Sequence, residues 1–242
     1  MLAKDHALSG AAVFAGAAPL LHVGGWSLAA GVIFTAGAAL VPDLDEPGSA
    51  LSREGGLATT ALAHLVRKVG GGHRKLTHSL LGTGIFTAAS WGAVQASGHL
   101  HGRWLHLAAL AFLWASVQCL LAAALHTLRL GRRHADLLAA VAATVALWQH
   151  WGLHAIPLCI ALGCAAHLAG DMATLHGCPL LYPFSKRNWH LLPCGIRIST
   201  GKMAEHWIVA PLLLAALVFL LWWDAGPLAG HIHAAITARR TP

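Results

Sequence analysis

Seven apolar runs, at about 7–22, 26–41, 79–97, 104–125, 136–150, 153–170 and 207–223, fill most of this 242-residue chain. Several hold only about 15 to 18 residues, short of the roughly 20 that cross hydrocarbon untilted. Charged residues make up 10% of the chain and hydrophobic ones 57%, where an ordinary soluble domain is about 25% charged. This is the composition of a membrane protein. In lipid each backbone N–H and C=O needs a partner within the protein, and a helix supplies these partners inside one segment. The expected fold is all-α, a polytopic membrane helical bundle of about six to seven short spans forming a single domain over 1–242. The first and fifth runs suit either a crossing or an interfacial helix. The first run passes into the second at Trp26 without a cleavage context, so it is expected to be a retained span rather than a signal peptide. Cys119, Cys159, Cys164, Cys178 and Cys194 are odd in number and contain no CxxC pair, which argues against a disulfide framework and a zinc-thiolate knuckle.

Threading seven spans through a bilayer sorts the loops by face. The N-terminus and the loops 42–76, 126–135 and 171–206 share one face, which carries Lys4, Arg53, Arg67, Lys68, Arg74, Lys75, Arg129, Arg132, Arg133, Lys186, Arg187, Arg197 and Lys202. The turns at Val23–Gly25, Ser97–Arg103 and Trp151–Gly152 and the C-terminal tail share the other, with only Arg103, Arg239 and Arg240. Thirteen cations against three predict that the first face is cytoplasmic. The same threading sends His6, Asp43, Asp45, His73, His78, His167, Asp171 and Glu205 to that face, although they are scattered over two hundred residues.

Three stretches carry the candidate chemistry. Pro42-Asp43-Leu44-Asp45-Glu46-Pro47 follows the second span, and in an extended segment Asp43 and Asp45 would point the same way. Carboxylates so close repel unless a cation or a proton intervenes; the plainer alternative is a solvated acidic turn. His167 and Asp171 close the sixth span at i and i+4, a spacing that puts both on one helix face, where they can grip an ion or pair with each other. Ionisable residues in or near the membrane are costly and mark functional sites by default. Gly72-His73-Arg74-Lys75-Leu76-Thr77-His78-Ser79 precedes the third span, with Thr77 expected as its N-cap and His78 just inside it; His6 stands likewise after Asp5. The nearest cations, Arg74, Lys75, Arg197 and Lys202, either bind a phosphate or simply record topology.

With His6, Pro42-Asp43-Leu44-Asp45, Ser49, Gly72-His73-Arg74, Thr77-His78-Ser79, and His167 to Asp171 followed by Thr174, Gly177 and Tyr182-Pro183-Phe184, the chain resembles the YdjM/YvsG-like family of membrane-bound metal-dependent hydrolases. Thr200-Gly201 and Glu205 are similar to its closing segment, while Lys75 and His176-Gly177-Cys178-Pro179 depart from its pattern. The resemblance implies an inner-membrane protein acting as a metal-dependent hydrolase. A looser similarity in the order His, Asp, His, HxxxD, to zinc-dependent phospholipase C and P1-type nucleases, favours phosphoester chemistry.

The expectation is a cytoplasm-facing hydrolase that cleaves a phosphoester of a lipid or lipid-linked substrate. His6, Asp43, Asp45, His78, His167 and Asp171 are the expected ligands of one or two divalent ions, zinc or manganese. His73 and Glu205 are expected to move protons, and Arg74 to steady charge on the phosphate. The alternative is a non-catalytic membrane metal-binding protein, a scaffold or a transporter. A transporter should hold its ionisable ligands near the midplane, whereas these lie at span ends. Nucleic acid is disfavoured, since no recognition helix or aromatic interleaving accompanies the basic face.

Overall fold

The structure, a computed structural model, describes residues 1–99, 103–127, 130–148 and 153–225. Residues 100–102 of the Ser97–Arg103 turn, Arg129, the Trp151–Gly152 turn, and the tail with Arg239 and Arg240 lie outside the described residues. Eight α-helices follow in order among the described residues: α1 (Ala3–Leu21), α2 (Gly25–Ala38), α3 (Leu57–Val69), α4 (Leu80–His99), α5 (Arg103–Thr127), α6 (Arg132–Trp148), α7 (Ile156–Met172) and α8 (Ala210–Ala225). Seven coincide with the apolar runs and form an all-α bundle. The segments Gly25–Asp45, Leu110–Thr127 and Glu205–Asp224 are long and apolar enough to cross a membrane, and α7 is a shorter apolar helix.

Helix α1 is central and packs on α2, α7 and α8, while α7 also packs on α2 and α4, and α5 on α2, α4 and α6. Small side chains make this possible. Ala7, Ala11, Ala15 and Ala18 line the buried side of α1 with Phe14. A Cβ on Gly37 would come within 2.2 Å of the Leu120 carbonyl oxygen, and one on Gly163 within 2.6 Å of the Ala39 nitrogen. Backbone therefore meets backbone, as lipid-embedded helices need when no water-driven force holds them together. Large apolar side chains point outward instead, among them Trp26, Ile85, Trp91, Phe112, Leu137 and Trp222. So large an apolar exterior suits lipid, not water.

Helix α3 departs from the loop expected over 42–76. Leu62, Leu65 and Val69 recur at helical spacing, Arg67 and Lys68 favour the negative helix C-terminus, and Gly70-Gly71-Gly72 ends the helix. Gly71 has φ 80° and Gly72 φ 124°, a path open to glycine, which turns the chain back over Pro42–Asp45. Only Ala63 of α3 is buried.

Gly163 lies one turn before His167, so its close contact also sets the site. Gly163→Ala is expected to lower the melting temperature in detergent, overpacking costing about 1–3 kcal/mol. Gly84→Ala is the control: its Cβ would meet nothing within 4 Å, so its melting should stay unchanged or rise slightly.

Candidate metal centre

The end of α2 supplies the first two parts of the site. Helix carbonyls at a C-terminus lack intrahelical partners, and the carbonyl of Ala39, the C-cap residue, accepts a 2.7 Å hydrogen bond from His167 Nδ1. Pro42 then opens a 3-10 turn over Pro42–Asp45. This corrects the extended reading of Asp43-Leu44-Asp45. At three residues per turn, positions i and i+2 point about 120° apart, so the two carboxylates take different jobs.

Asp43 turns toward the bundle. Its Oδ1 lies 3.5 Å from His78 Nε2 and 3.8 Å from His167 Nε2. Asp45 is fully buried and turns toward the loop after α3, where its Oδ1 pairs with His73 Nδ1 at 2.7 Å and its Oδ2 accepts from the Arg74 amide at 3.0 Å. Arg74 adopts φ 57° to present that amide. Thr77 Oγ1 also donates to Asp45 Oδ2. The hydroxyl has one proton, so Thr77 Oγ1 accepts from His78 Nδ1, at 2.9 Å. Thr77 is thus not the N-cap of α4. Ser79 takes that place, its Oγ accepting from the Gly82 amide at 3.0 Å.

These bonds fix two tautomers. His78 and His167 each donate through Nδ1, and a neutral ring that does so keeps a bare lone pair on Nε2. The two Nε2 atoms nevertheless face each other at 3.2 Å. Asp171 Oδ2 joins them, 3.6 Å from His78 Nε2 and 3.7 Å from His167 Nε2, and it has no hydrogen-bond partner although buried. The two Nε2 atoms thus lie 3.2 Å apart, each 3.5 to 3.8 Å from oxygens of Asp43 and Asp171. Two nitrogens on one four-coordinate zinc at about 2.0–2.1 Å would sit about 3.3 Å apart. The set fits a divalent cation, and the buried His and Asp groups can hold one.

His6 stacks on His167, ring centroids 3.6 Å apart, and its Nε2 lies 3.4 Å from Asp171 Oδ1. With Asp43 and His167 it makes a second grouping close enough for an ion, and Asp43, Asp45 and His73 make a third. Asp171 Oδ1 also accepts from the Met1 nitrogen at 2.8 Å and from Arg74 at 3.4 Å. His73 and Arg74 stand with Met1, Leu40, Asp43 and Ser49 around a cavity of about 350 Å³. Arg74 Nε is buried there without a partner.

Of the residues expected from sequence, His6, Asp43, His78, His167 and Asp171 meet in one cluster, with His73 and Arg74 at its wall. Asp45 lies behind it, both oxygens engaged. Glu205 does not join: Oε1 accepts from the Leu2 amide at 2.6 Å and Oε2 from the Gly201 amide. It instead ties the N-terminal residues that lead into His6. Thr77 was missed as a relay, its capping position having concealed the role; the Met1 contact has no signature in the sequence.

A helical membrane protein with a buried histidine and carboxylate cluster at its span ends is the class that this fold and site define. The chain belongs to the YdjM inner membrane protein family, whose model matches residues 1–129 and 129–236. No match was found among curated proteins or among solved structures.

The hydrogen bond to Asp45 holds His73 above the ordinary imidazole range, partial burial opposing it. The raised value belongs to the folded state, so the pair's stabilisation is fully present below about pH 6.5 and is lost as pH rises through the raised value. His73→Gln should remove that alkaline decline from melting curves taken across neutrality. Thr77→Val should leave His78 Nδ1 and Asp45 Oδ2 short of a partner and weaken metal binding about 10–100-fold, with Thr77→Ser restoring it, both read by metal titration.

Proposed function

We propose that this protein is a metal-dependent hydrolase of the inner membrane that cleaves a phosphoester of a lipid or lipid-linked substrate at a cytoplasm-facing site. One observation carries the reading: the bare lone pairs of His78 and His167 converge at 3.2 Å beside the orphaned Asp171 Oδ2. With both rings neutral and no cation between them, this arrangement is repulsive and poorly solvated. Asp43, His78, His167 and Asp171 would hold one divalent ion, zinc or manganese, and His6 stands beside Asp43, whose carboxylate a second ion could share. When bound, such an ion supplies Lewis acidity toward water and a phosphoryl oxygen. The excess of cations on the site's face supports the cytoplasmic orientation.

The chain's own residues divide the remaining work. Arg74 has an unpartnered Nε at the cavity wall, and its guanidinium can take phosphate oxygens by parallel hydrogen bonds. His73, whose hold on its proton is strengthened by the hydrogen bond to Asp45, can give a proton to a leaving alkoxide. Asp45 and Thr77 keep His78 turned inward. Leu40 and Leu51 give the cavity an apolar side suited to the lipid part of a substrate.

A second reading, a non-catalytic metal-binding membrane protein, draws on the same geometry, because four protein atoms around one ion are typical of a structural site. Elemental analysis of purified protein should find stoichiometric zinc or manganese, with the share held by this cluster lost in His167→Gln and Asp171→Asn. On a panel of lipid phosphoesters, Arg74→Ala should lower hydrolysis about 10²–10³-fold with metal content unchanged. A metal-loaded wild type that cleaves none of the panel would favour the second reading. Wild type without stoichiometric metal would overturn both.

A further inference from the structure

A second convergence of metal-ligating side chains lies where the α5–α6 hairpin meets the segment after Asp45. His126 stands in the last turn of α5, Asp136 is the fifth residue of α6, and Glu54 follows the short 3-10 turn Leu51–Arg53. Three separate elements, far apart in sequence, thus each contribute one side chain.

The imidazole sits between two carboxylates. His126 Nδ1 is 2.8 Å from Glu54 Oε2, and His126 Nε2 is 3.6 Å from Asp136 Oδ1. One ligand atom from each of the three lies within 4.8 Å of the others. The Arg132 carbonyl oxygen adds a further oxygen, 3.3 Å from His126 Nε2.

Charge makes the grouping informative. Two carboxylates flank a single imidazole, an excess of negative charge, and among the described residues no Lys or Arg nitrogen comes within 4.0 Å of either. The Glu54 side chain is only 5% exposed, so water does little to offset the excess. Removing a carboxylate from water costs several kcal/mol unless something compensates it. Asp136 is 45% exposed, which leaves an open side through which an ion could enter.

We propose that Glu54, His126 and Asp136 form a second divalent-cation site, separate from the His78–His167 cluster. One imidazole nitrogen and two carboxylate oxygens select zinc or manganese over a soft monovalent ion, and solvent on the Asp136 side completes the coordination. A bound ion would staple the end of the α5–α6 hairpin to the turn at Leu51–Arg53. The proposal does not depend on any hydrolytic activity.

The test uses the full chain in detergent, first stripped with chelator and then titrated with Mn²⁺ or Zn²⁺ alone. Elemental counting of wild type, His126→Gln, Asp136→Asn, His167→Gln and the His126→Gln/His167→Gln pair reads the occupancy of each site. His126→Gln and Asp136→Asn should each lower occupancy by one ion per chain or weaken it at least tenfold, while the ion lost in His167→Gln stays. The double variant should lose both. Added Zn²⁺ should also raise the melting temperature of His167→Gln but not of the double variant. Asp136→Asn, at a half-exposed position, keeps the test valid if His126→Gln misfolds. Unchanged metal counts in His126→Gln and Asp136→Asn would overturn the proposal, and so would loss of all bound metal in His167→Gln alone.

Discussion

His78 Nε2 and His167 Nε2 confront each other at 3.2 Å because each ring is fastened through its other nitrogen, one to Thr77 and the other to the Ala39 carbonyl. Neither ring can turn away without leaving a buried donor unpaired, at a cost of about 1–3 kcal/mol. The rest of the molecule is arranged around keeping those rings in place. Gly163 lets α7 approach the end of α2 so that His167 reaches Ala39. Asp45, fully buried, holds Thr77 and thereby His78. The loop after α3 closes over Asp45 through His73 and the Arg74 amide.

The carboxylates are supported in layers. Asp171 keeps one oxygen bonded to the Met1 nitrogen and leaves the other bare toward the imidazoles. Glu205, at the foot of α8, binds the Leu2 amide and so steadies the chain just before His6. Residues more than two hundred positions apart therefore meet beside the same cluster. The buried polarity is not wholly satisfied within the protein: both Asp5 oxygens, His6 Nδ1, Arg74 Nε and Asp171 Oδ2 have no hydrogen-bond partner.

How far the sequence revealed this can be read from individual residues. The apolar runs marked seven of the helices, since hydrophobic length is a local property. The His167–Asp171 spacing showed a shared helix face, and threading showed that His6, Asp43, His78 and His167 would end on one side. Helix α3 was hidden because its apolar stripe is short and mostly unburied, so it lacked the strength of a span. The direction in which Asp45 and Thr77 point is not legible in the sequence, because it depends on which way a 3-10 turn aims a side chain.

Sequence alone determined the class of fold and the face on which the polar residues gather, because both follow from hydrophobic periodicity and the alternation of spans. Only the tertiary structure separated the cluster into Asp43, His78, His167 and Asp171 with converging lone pairs, His6 stacked at its edge, Asp45 behind it and Glu205 apart. That separation rests on one bond between neighbours, Thr77 and His78, and on bonds between residues as far apart as Asp45 and His73, 28 positions, and Leu2 and Glu205, 203 positions. Tautomer and side-chain direction are set by such partners, and no local pattern in the chain records which partner each residue will meet.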